Sequence, residues 1–497
     1  METELKFQIP AAQRVALRRV VATASARSTR LQAVYVETEG RHLAAAGLAL
    51  RLRKEGRVWV QTLKGRSDGL LTRLEHEVRL PPQAGLPALD PQRHQGTPAG
   101  DALAAALQGA GQGAVLRPIY RTDIRRLHRR VRFGGASIEI AYDHGWLIAG
   151  ERKLALCEIE FELLSGPAAA LPALAQRWAQ RHGLWWDSRT KSERGLRLAL
   201  GLEQVPAVKA QALNWPEPAT PEAFWRAALQ SALAQALPNA AEIASGAATP
   251  EHLHQLRVAL RRLRTVLRVF AHWGGQVPSA QALEADWRTP FAQLGATRDA
   301  DVQAANLRPR LLAAGAPAFT WPAAAATPAA PDIVTGAEFT TLLLRSLALA
   351  LEPVPAEPSP TPSLAGQTLE EAARDVLRPA WRRLLADATG FAQASTEEQH
   401  RARKRLKRLR YALEMLLPLY RRKPARRQLA LIAKALEALG KMNDLQAAES
   451  LCRAQAAADP RAWFAVGWLA ARHEPAQARA ARALAALKDA PRAWRSA

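Results

Sequence analysis

The sequence predicts an α+β chain: a strand-rich N-terminal part with flanking helices, then an all-α part made of two related helical bundles. Three observations predict it. Residues 1 to 203 hold short segments that alternate charged and apolar side chains between Gly, Pro or Asp turns. After a Pro- and Ala-rich stretch the chain becomes long Ala/Leu/Arg segments of helical periodicity. Those segments then recur in the same order.

The first element is "ETELKF", a strand with Glu2, Glu4 and Lys6 on one face and Thr3, Leu5 and Phe7 on the other. "VWVQTLKG", "RLEHEVRL", "ASIEIAYD" and "LCEIEFELL" read as further strands, "AALPALAQRWAQRHG" and "SERGLRLALGL" as helices. "VPAVKAQALNWPEPATP" carries a linker placed at 204–220, and a second Pro-rich break, 352–366, divides the helical part into halves of about 221–351 and 367–497. "HQLRVALRRLRTVLRVF" begins at His254 and "HRARKRLKRLRYALEML" at His400; "LGATRDADVQ" and "LGKMNDLQAA" follow from Leu294 and Leu439. Two matching segments at nearly equal separation indicate duplication.

Composition narrows the class. The 497 residues leave room for about three domains, and no run approaches the ~18 apolar residues of a membrane span. The start is acidic, without an apolar leader, and predicts a cytoplasmic protein. Cys157 and Cys452 are too few and too distant for a disulfide framework or a metal cluster. Lys+Arg number 69 against 45 Asp+Glu, a formal charge of +24. An arginine-rich excess suits a polyanion, although an Ala- and Arg-rich composition bias accounts for it equally well. Placement has to name the partner.

The charged rows supply placement. Arg51 and Arg53 flank Leu52; Arg73, Glu75, Glu77 and Arg79 alternate with apolar residues or His76; so do Glu158, Glu160 and Glu162. Glu139 lies in "ASIEIAYD" with Asp143 beyond it, and Lys64 ends "WVQTLK". One reading is a sheet with a solvated face. The other is a sheet that closes with these rows inside, where paired ions are needed to offset desolvation. Carboxylate rows then suit Mg²⁺ or Mn²⁺, and basic rows suit phosphates.

The motifs resemble the CYTH domains, the triphosphate tunnel metalloenzymes. "ETELK" matches their ExExK signature, and "YVETEGRHLAAAGLALRLR", "WVQTLKG", "RLEHE", "YRTDIRR", "IEIAYDHG", "CEIEFELLSG" and "DSRTKSERG" follow in order, spanning about residues 1–202. The resemblance implies a closed antiparallel barrel forming a tunnel. It implies metal ligands drawn from Glu2, Glu4, Glu75, Glu77, Glu139, Glu158 and Glu160. It implies a phosphate cradle of Lys6, Arg51, Arg53, Lys64, Arg73, Arg126 and Lys191, with Glu4, Glu160 and Lys6 in catalysis. Arg126 rather than Arg125 fits the TDxxR spacing. Glu37-Thr38 departs from the family's Asp-Thr. Such a site would hydrolyse tripolyphosphate to pyrophosphate and phosphate by positioning and electrostatics, with no Ser or Cys nucleophile.

On a wheel of about 100° per residue, His254, Arg257, Arg261, Arg264 and Arg268 share one side of their helix. His400, Arg403, Lys407 and Arg410 repeat the plan, bordering a leucine stripe and lacking acids between His400 and Leu413. A solvated basic face is the plain alternative. Two such rows, almost without interleaved aromatics, suit a ligand of phosphate alone rather than nucleic acid. This part resembles the CHAD, or conserved-histidine α-helical, domain in duplicated form. That resemblance implies binding of inorganic polyphosphate by His254, Arg257, Arg261, Arg264, His400, Arg403, Lys407 and Arg410, with Arg262, Arg298, Asp299, Arg408 and Asp444 as further candidates. Association with polyphosphate granules is the corresponding location. Competing expectations are a non-catalytic polyphosphate-binding or granule-targeting protein, a nucleotide or thiamine triphosphatase, and a class IV-type adenylyl cyclase.

Overall fold

The computed structural model describes residues 2–66, 70–83, 85–111, 113–215, 217, 219–319, 328–351 and 366–495; for residues 66, 296–306 and 495 this is the backbone alone. Nine strands form one antiparallel sheet: β1 Glu2–Gln8, β2 Arg27–Glu37, β3 Ala49–Glu55, β4 Val58–Arg66, β5 Thr72–Leu80, β6 Arg117–Phe133, β7 Ala136–Ala149, β8 Arg152–Ser165 and β9 Trp185–Trp186. Their order is β5-β4-β3-β2-β6-β7-β8-β1-β9. β1 also pairs with β5, Glu2 opposite Arg73, while its residues from Glu4 onward pair with β8. That seam closes eight strands into a barrel, and β9 adds to β1 outside the ring.

Among the described residues, five α-helices accompany the strands: α1 Arg14–Val21, α2 His42–Ala45, α3 Pro98–Gly109, α4 Ala170–His182 and α5 Lys191–Leu200. Eleven more, and no strand, follow among the described residues: α6 Pro221–Ala244, α7 Pro250–Val269, α8 Val277–Asp286, α9 Arg288–Ala313, α10 Ala330–Thr335, α11 Ala337–Leu351, α12 Leu369–Thr389, α13 Thr396–Met415, α14 Arg422–Gln455, α15 Ala462–Ala470 and α16 His473–Ala485. The chain is therefore α+β, a closed eight-stranded barrel with helices followed by an all-helical region. Among the described residues, no helix is long and apolar enough to cross a membrane.

The chain divides into two compact units. One comprises Met1–Lys209, Leu233–Leu256 and Pro331–Glu352; the other comprises Ala210–Ala232, Arg257–Ala330 and Pro353–Ala497. In the first, the apolar rows of the strands face outward and are covered. Phe7 meets Phe161 edge-on at 5.7 Å, and Phe161 meets Trp178 of α4 at the same distance. α3 covers another side with Ala99 and Leu103 against Val36, Leu50 and Leu63. Both Phe7 and Phe161 are fully buried, so truncating either to Ala removes about 3–5 kcal/mol of packing. With the apolar rows spent on helices, alternation sends the charged rows inward.

α5 completes the wall. A capping box, in which Thr190 and Glu193 satisfy each other's backbone N–H groups, fixes its first turn. Gly195 then lets it approach β6, since a Cβ there would lie 2.2 Å from the Tyr120 ring. Tyr120 in turn donates to the Ser192 carbonyl at 3.2 Å.

Candidate active site

The inward rows enclose a cavity of 530 Å³. β1 contributes Glu2, Glu4 and Lys6, β3 Arg51 and Arg53, β4 Lys64, and β5 Arg73, Glu75 and Glu77. β6 contributes Arg126 and His128, β7 Glu139 and Asp143, β8 Glu160 and Glu162, and α5 contributes Lys191. Glu158 is absent from this wall. It lies on the Glu160 face of β8 but is 0% exposed, held by Arg194 and by Lys191 Nζ at 2.5 Å. The remaining metal-ligand and phosphate-cradle candidates line the cavity together, while Arg79 of the β5 row does not.

Two nests of opposite charge organise it. In one, Lys191 Nζ lies 2.9 Å from Asp143, 2.5 Å from Glu158 and 2.5 Å from Glu160. Arg126 forks onto Asp143 at 2.8 and 2.7 Å and also reaches Glu160. Burial pushes the Glu160 carboxyl up, but Lys191 and Arg126 outweigh it and hold Glu160 well below the usual carboxylate range. In the other nest Lys64 pairs with Glu2 and lies 3.1 Å from Glu75. Burial opposes ionisation of Glu2, yet Lys64 and a hydrogen bond from Glu75 bring it down to about 2. Glu75 takes the opposite share, pushed up to about 7 by burial and by Glu2.

Other groups have no ion-pair partner among the described residues. Lys6, Arg73, Glu4 and Glu162 make no ion pair. Burial drives the Lys6 ammonium below its ordinary range. Burial, then Glu160 and Glu2, raise Glu4; burial, then Glu2 and Glu139, bring Glu162 up to about 7. Arg51 Nε and Arg53 Nε are buried without a hydrogen-bond partner in the described structure. Arg51 is otherwise held by the Tyr35 hydroxyl at 3.0 Å. The cavity thus has spare N–H donors for anionic oxygens and crowded carboxylates that resist a joint negative charge.

That donor set fits a divalent cation. Asp143, Glu158 and Glu160 each offer an oxygen within 4.8 Å of the others, and hard oxygen donors suit Mg²⁺ or Mn²⁺. The raised carboxyls fit too, because a bound cation would offset both the burial and the neighbouring carboxylates that raise them.

Sequence reasoning named Asp143 and Glu162 without assigning them a role, and left out Tyr35, His128, Asp187 and Arg194. The β8 alternation put Glu162 on the Glu160 face, and that signal could have assigned it to the site. Glu37 has a structural role: its carboxylate accepts the N–H groups of Thr38, Leu43 and Ala44 at 2.8, 3.0 and 2.8 Å, capping α2.

In the second unit, α7 from Arg257 onward and α13 bring their rows together. Arg261 donates to the Tyr411 hydroxyl at 3.3 Å, and Arg264 and Arg268 raise the local potential at Arg408. Acids meet the rows nonetheless: Glu284 of α8 lies 2.8 Å from Arg264 and 3.7 Å from Arg268, and Glu414, one turn on in α13, lies 2.7 Å from Arg410. An aromatic arrives too, Phe291 under Arg257, Arg261 and Arg264. Arg257 is only 8% exposed and donates to the Leu294 and Gly295 carbonyls at 3.2 and 2.8 Å. Arg262, also buried, donates to Ser231. His400 is half-buried against Asn443 at 3.2 Å, and Arg403 and Lys407 are half-buried on the same helix. His254 lies in the first unit and is half-buried. The side chains of Arg298 and Asp299 lie outside the described residues; Asp444 lies on α14.

Residues 1–196 match the CYTH domain family, and residues 227–453 match the CHAD domain family. A protein of Haemophilus influenzae named inorganic triphosphatase is 31% identical over 166 residues, covering 33% of this chain and 44% of that protein. The match thus spans less than half the length of that relative. Among solved structures, the CHAD domain of Ricinus communis is 29% identical with a TM-score of 0.48, covering 58% of this chain and 98% of its own. A Hippeastrum protein described as having a dominant triphosphatase activity is 17% identical with a TM-score of 0.27, covering 40% and 96%. Scores this low add nothing to the fold seen in the strands themselves.

Proposed function

We propose that this chain, a CYTH domain followed by a CHAD domain, is a metal-dependent inorganic triphosphatase whose helical part holds polyphosphate. The observation that carries the reading is the enclosed cavity in which cationic and carboxylate rows face each other with Lys6, Arg73, Glu4 and Glu162 making no ion pair among the described residues. A salt-like guest, tripolyphosphate with its metal, supplies the counter-charge to both signs.

The cations take the phosphate oxygens: Lys6, Arg51, Arg53, Lys64, Arg73, Arg126 and Lys191. As Lys191 and Arg126 turn to phosphate, Asp143, Glu158 and Glu160 are released as oxygen donors for Mg²⁺ or Mn²⁺, with Glu2, Glu4, Glu75, Glu77 and Glu139, joined by Glu162 on the same cavity wall, as the wider acidic set. The ion, when bound, neutralises phosphate charge and acidifies coordinated water. Glu4, whose proton affinity is raised, is suited to receive the proton of the attacking water. Attack in line on the terminal phosphorus forms one P–O bond and breaks the bridging one. Orthophosphate leaves, and pyrophosphate remains in the cradle. Lys6 and Arg126 balance the charge gathering on the leaving oxygens.

Purified full-length chain with Mn²⁺ or Mg²⁺ is expected to release orthophosphate from tripolyphosphate, and faster than from nucleotide or thiamine triphosphates. Absence of release from every one of these, with either metal, would falsify the catalytic reading.

For the helical part, Arg403, Lys407 and Arg410, half-buried on α13, are taken as polyphosphate contacts. Lys407→Ala with Arg403→Ala is expected to weaken polyphosphate binding about tenfold at fixed salt. Arg257→Ala should instead lower Tm, because its guanidinium serves backbone carbonyls. Equal binding by the double variant and the native chain would remove α13 from the site.

A further inference from the structure

Glu242 lies on α6, 45 residues beyond Arg197 of α5 in sequence, yet both belong to the first compact unit. Its carboxylate accepts from Arg197 Nη1 at 2.6 Å and lies 3.9 Å from Arg189. It is 4% exposed, and its second oxygen, Oε2, is buried without a hydrogen-bond partner in the described structure. Taking a carboxylate out of water is costly, and here only the Arg197 and Arg189 guanidiniums stand against that cost among the described residues.

Two routes lead from it into the cavity. Along α5, Arg197 lies six residues from Lys191, the ammonium among Asp143, Glu158 and Glu160. Through the loop before α5, Arg189 clamps Asp187 with two bonds of 2.9 Å. Gln8 of β1 then joins Asp187 at 3.1 Å to Glu158 at 3.3 Å. The first route ends on Lys191 itself and the second on Glu158, which holds it. We propose that Glu242 is a positioning residue for the tunnel: it fixes the two ends of the α5 segment and so sets where Lys191 meets substrate phosphate. The barrel alone is then an incomplete enzyme, because part of its cradle is held from a helix within the CHAD match. The inference rests on the triphosphatase reading above.

The test uses the full chain. Glu242→Gln is expected to raise KM for tripolyphosphate with Mn²⁺ about tenfold, the weakening of one charge-assisted hydrogen bond. Partial unfolding cannot mimic this, since it lowers the active fraction and kcat while leaving KM alone. Glu242→Asp, whose shorter arm Arg197 can follow, should raise KM only about threefold, and it carries the test if Glu242→Gln does not accumulate folded. Asp387→Asn, which breaks the Arg405 pair in the second unit, should leave KM unchanged. If the native chain hydrolyses nothing, the catalytic reading has failed by itself. Titration calorimetry with tripolyphosphate then decides the present one: a dissociation constant about tenfold weaker in Glu242→Gln upholds it. An unchanged KM, or an unchanged dissociation constant in that second case, overturns it whatever happens to kcat.

Discussion

Replacing Glu4 by Gln is expected to lower kcat for tripolyphosphate by about 10²–10³-fold, the usual effect of losing one group that acts on developing charge. The same change should raise the Tm of the metal-free protein at pH 8. The two effects share one cause. Burial and the nearby carboxylates Glu160 and Glu2 make Glu4 costly as an anion, and among the described residues no cation pairs with it. A neutral amide of the same shape removes that repulsion. It also removes an oxygen donor and a proton acceptor from the place where water would be activated. Stability and activity therefore move in opposite directions, as expected of a site strained for function. Phosphate release and scanning calorimetry on the same sample test this. Native turnover in the Glu4→Gln variant removes Glu4 from the chemistry; loss of both turnover and Tm makes Glu4 a structural residue.

The inward rows were legible because strand periodicity is local: Glu2, Glu4 and Lys6 announce a charged face whatever lies across from it. Closure was not. It depends on Glu2 meeting Arg73 across a gap of about seventy residues, a pairing that no local pattern contains, and only the CYTH resemblance implied it. Asp143 and Arg194 escaped assignment for a similar reason. Each is a single charged residue whose meaning comes from Glu158 or Lys191 on another element. The basic helices show the converse limit. Their rows look unbalanced in sequence, yet Glu284 and Glu414 stand among them, and Phe291 supplies an aromatic the rows lack. Arg257 shares a helical face with Arg264 but ends inside, because α9 presents two carbonyls there. A wheel gives direction, not what waits in that direction.

Lowering pH from 8 to 6 is expected to cut activity at subsaturating Mn²⁺ by about 10- to 100-fold. Glu75 and Glu162 both sit at about 7, so about a tenth of each is ionised at pH 6, and protonated carboxyls are poor metal donors. One such group gives the lower figure, two the upper. Raising the metal concentration should move the limb to lower pH, because metal and proton compete for the same oxygens. Stability has the opposite sign. Folded-state values raised from 4.5 mean that the native chain keeps protons the unfolded chain has lost. Their contribution is complete below pH 4.5 and is lost as pH rises through 7. Glu2, held down at about 2, contributes above 4.5 and fails only as pH falls through 2. The metal-free protein should thus lose Tm between pH 5 and 8, and Mn²⁺ should restore it at the alkaline end. A flat activity profile across pH 6–8, or a metal-free Tm that climbs over the same range, would mean that these carboxyls are not crowded in solution and that the cavity does not await a cation.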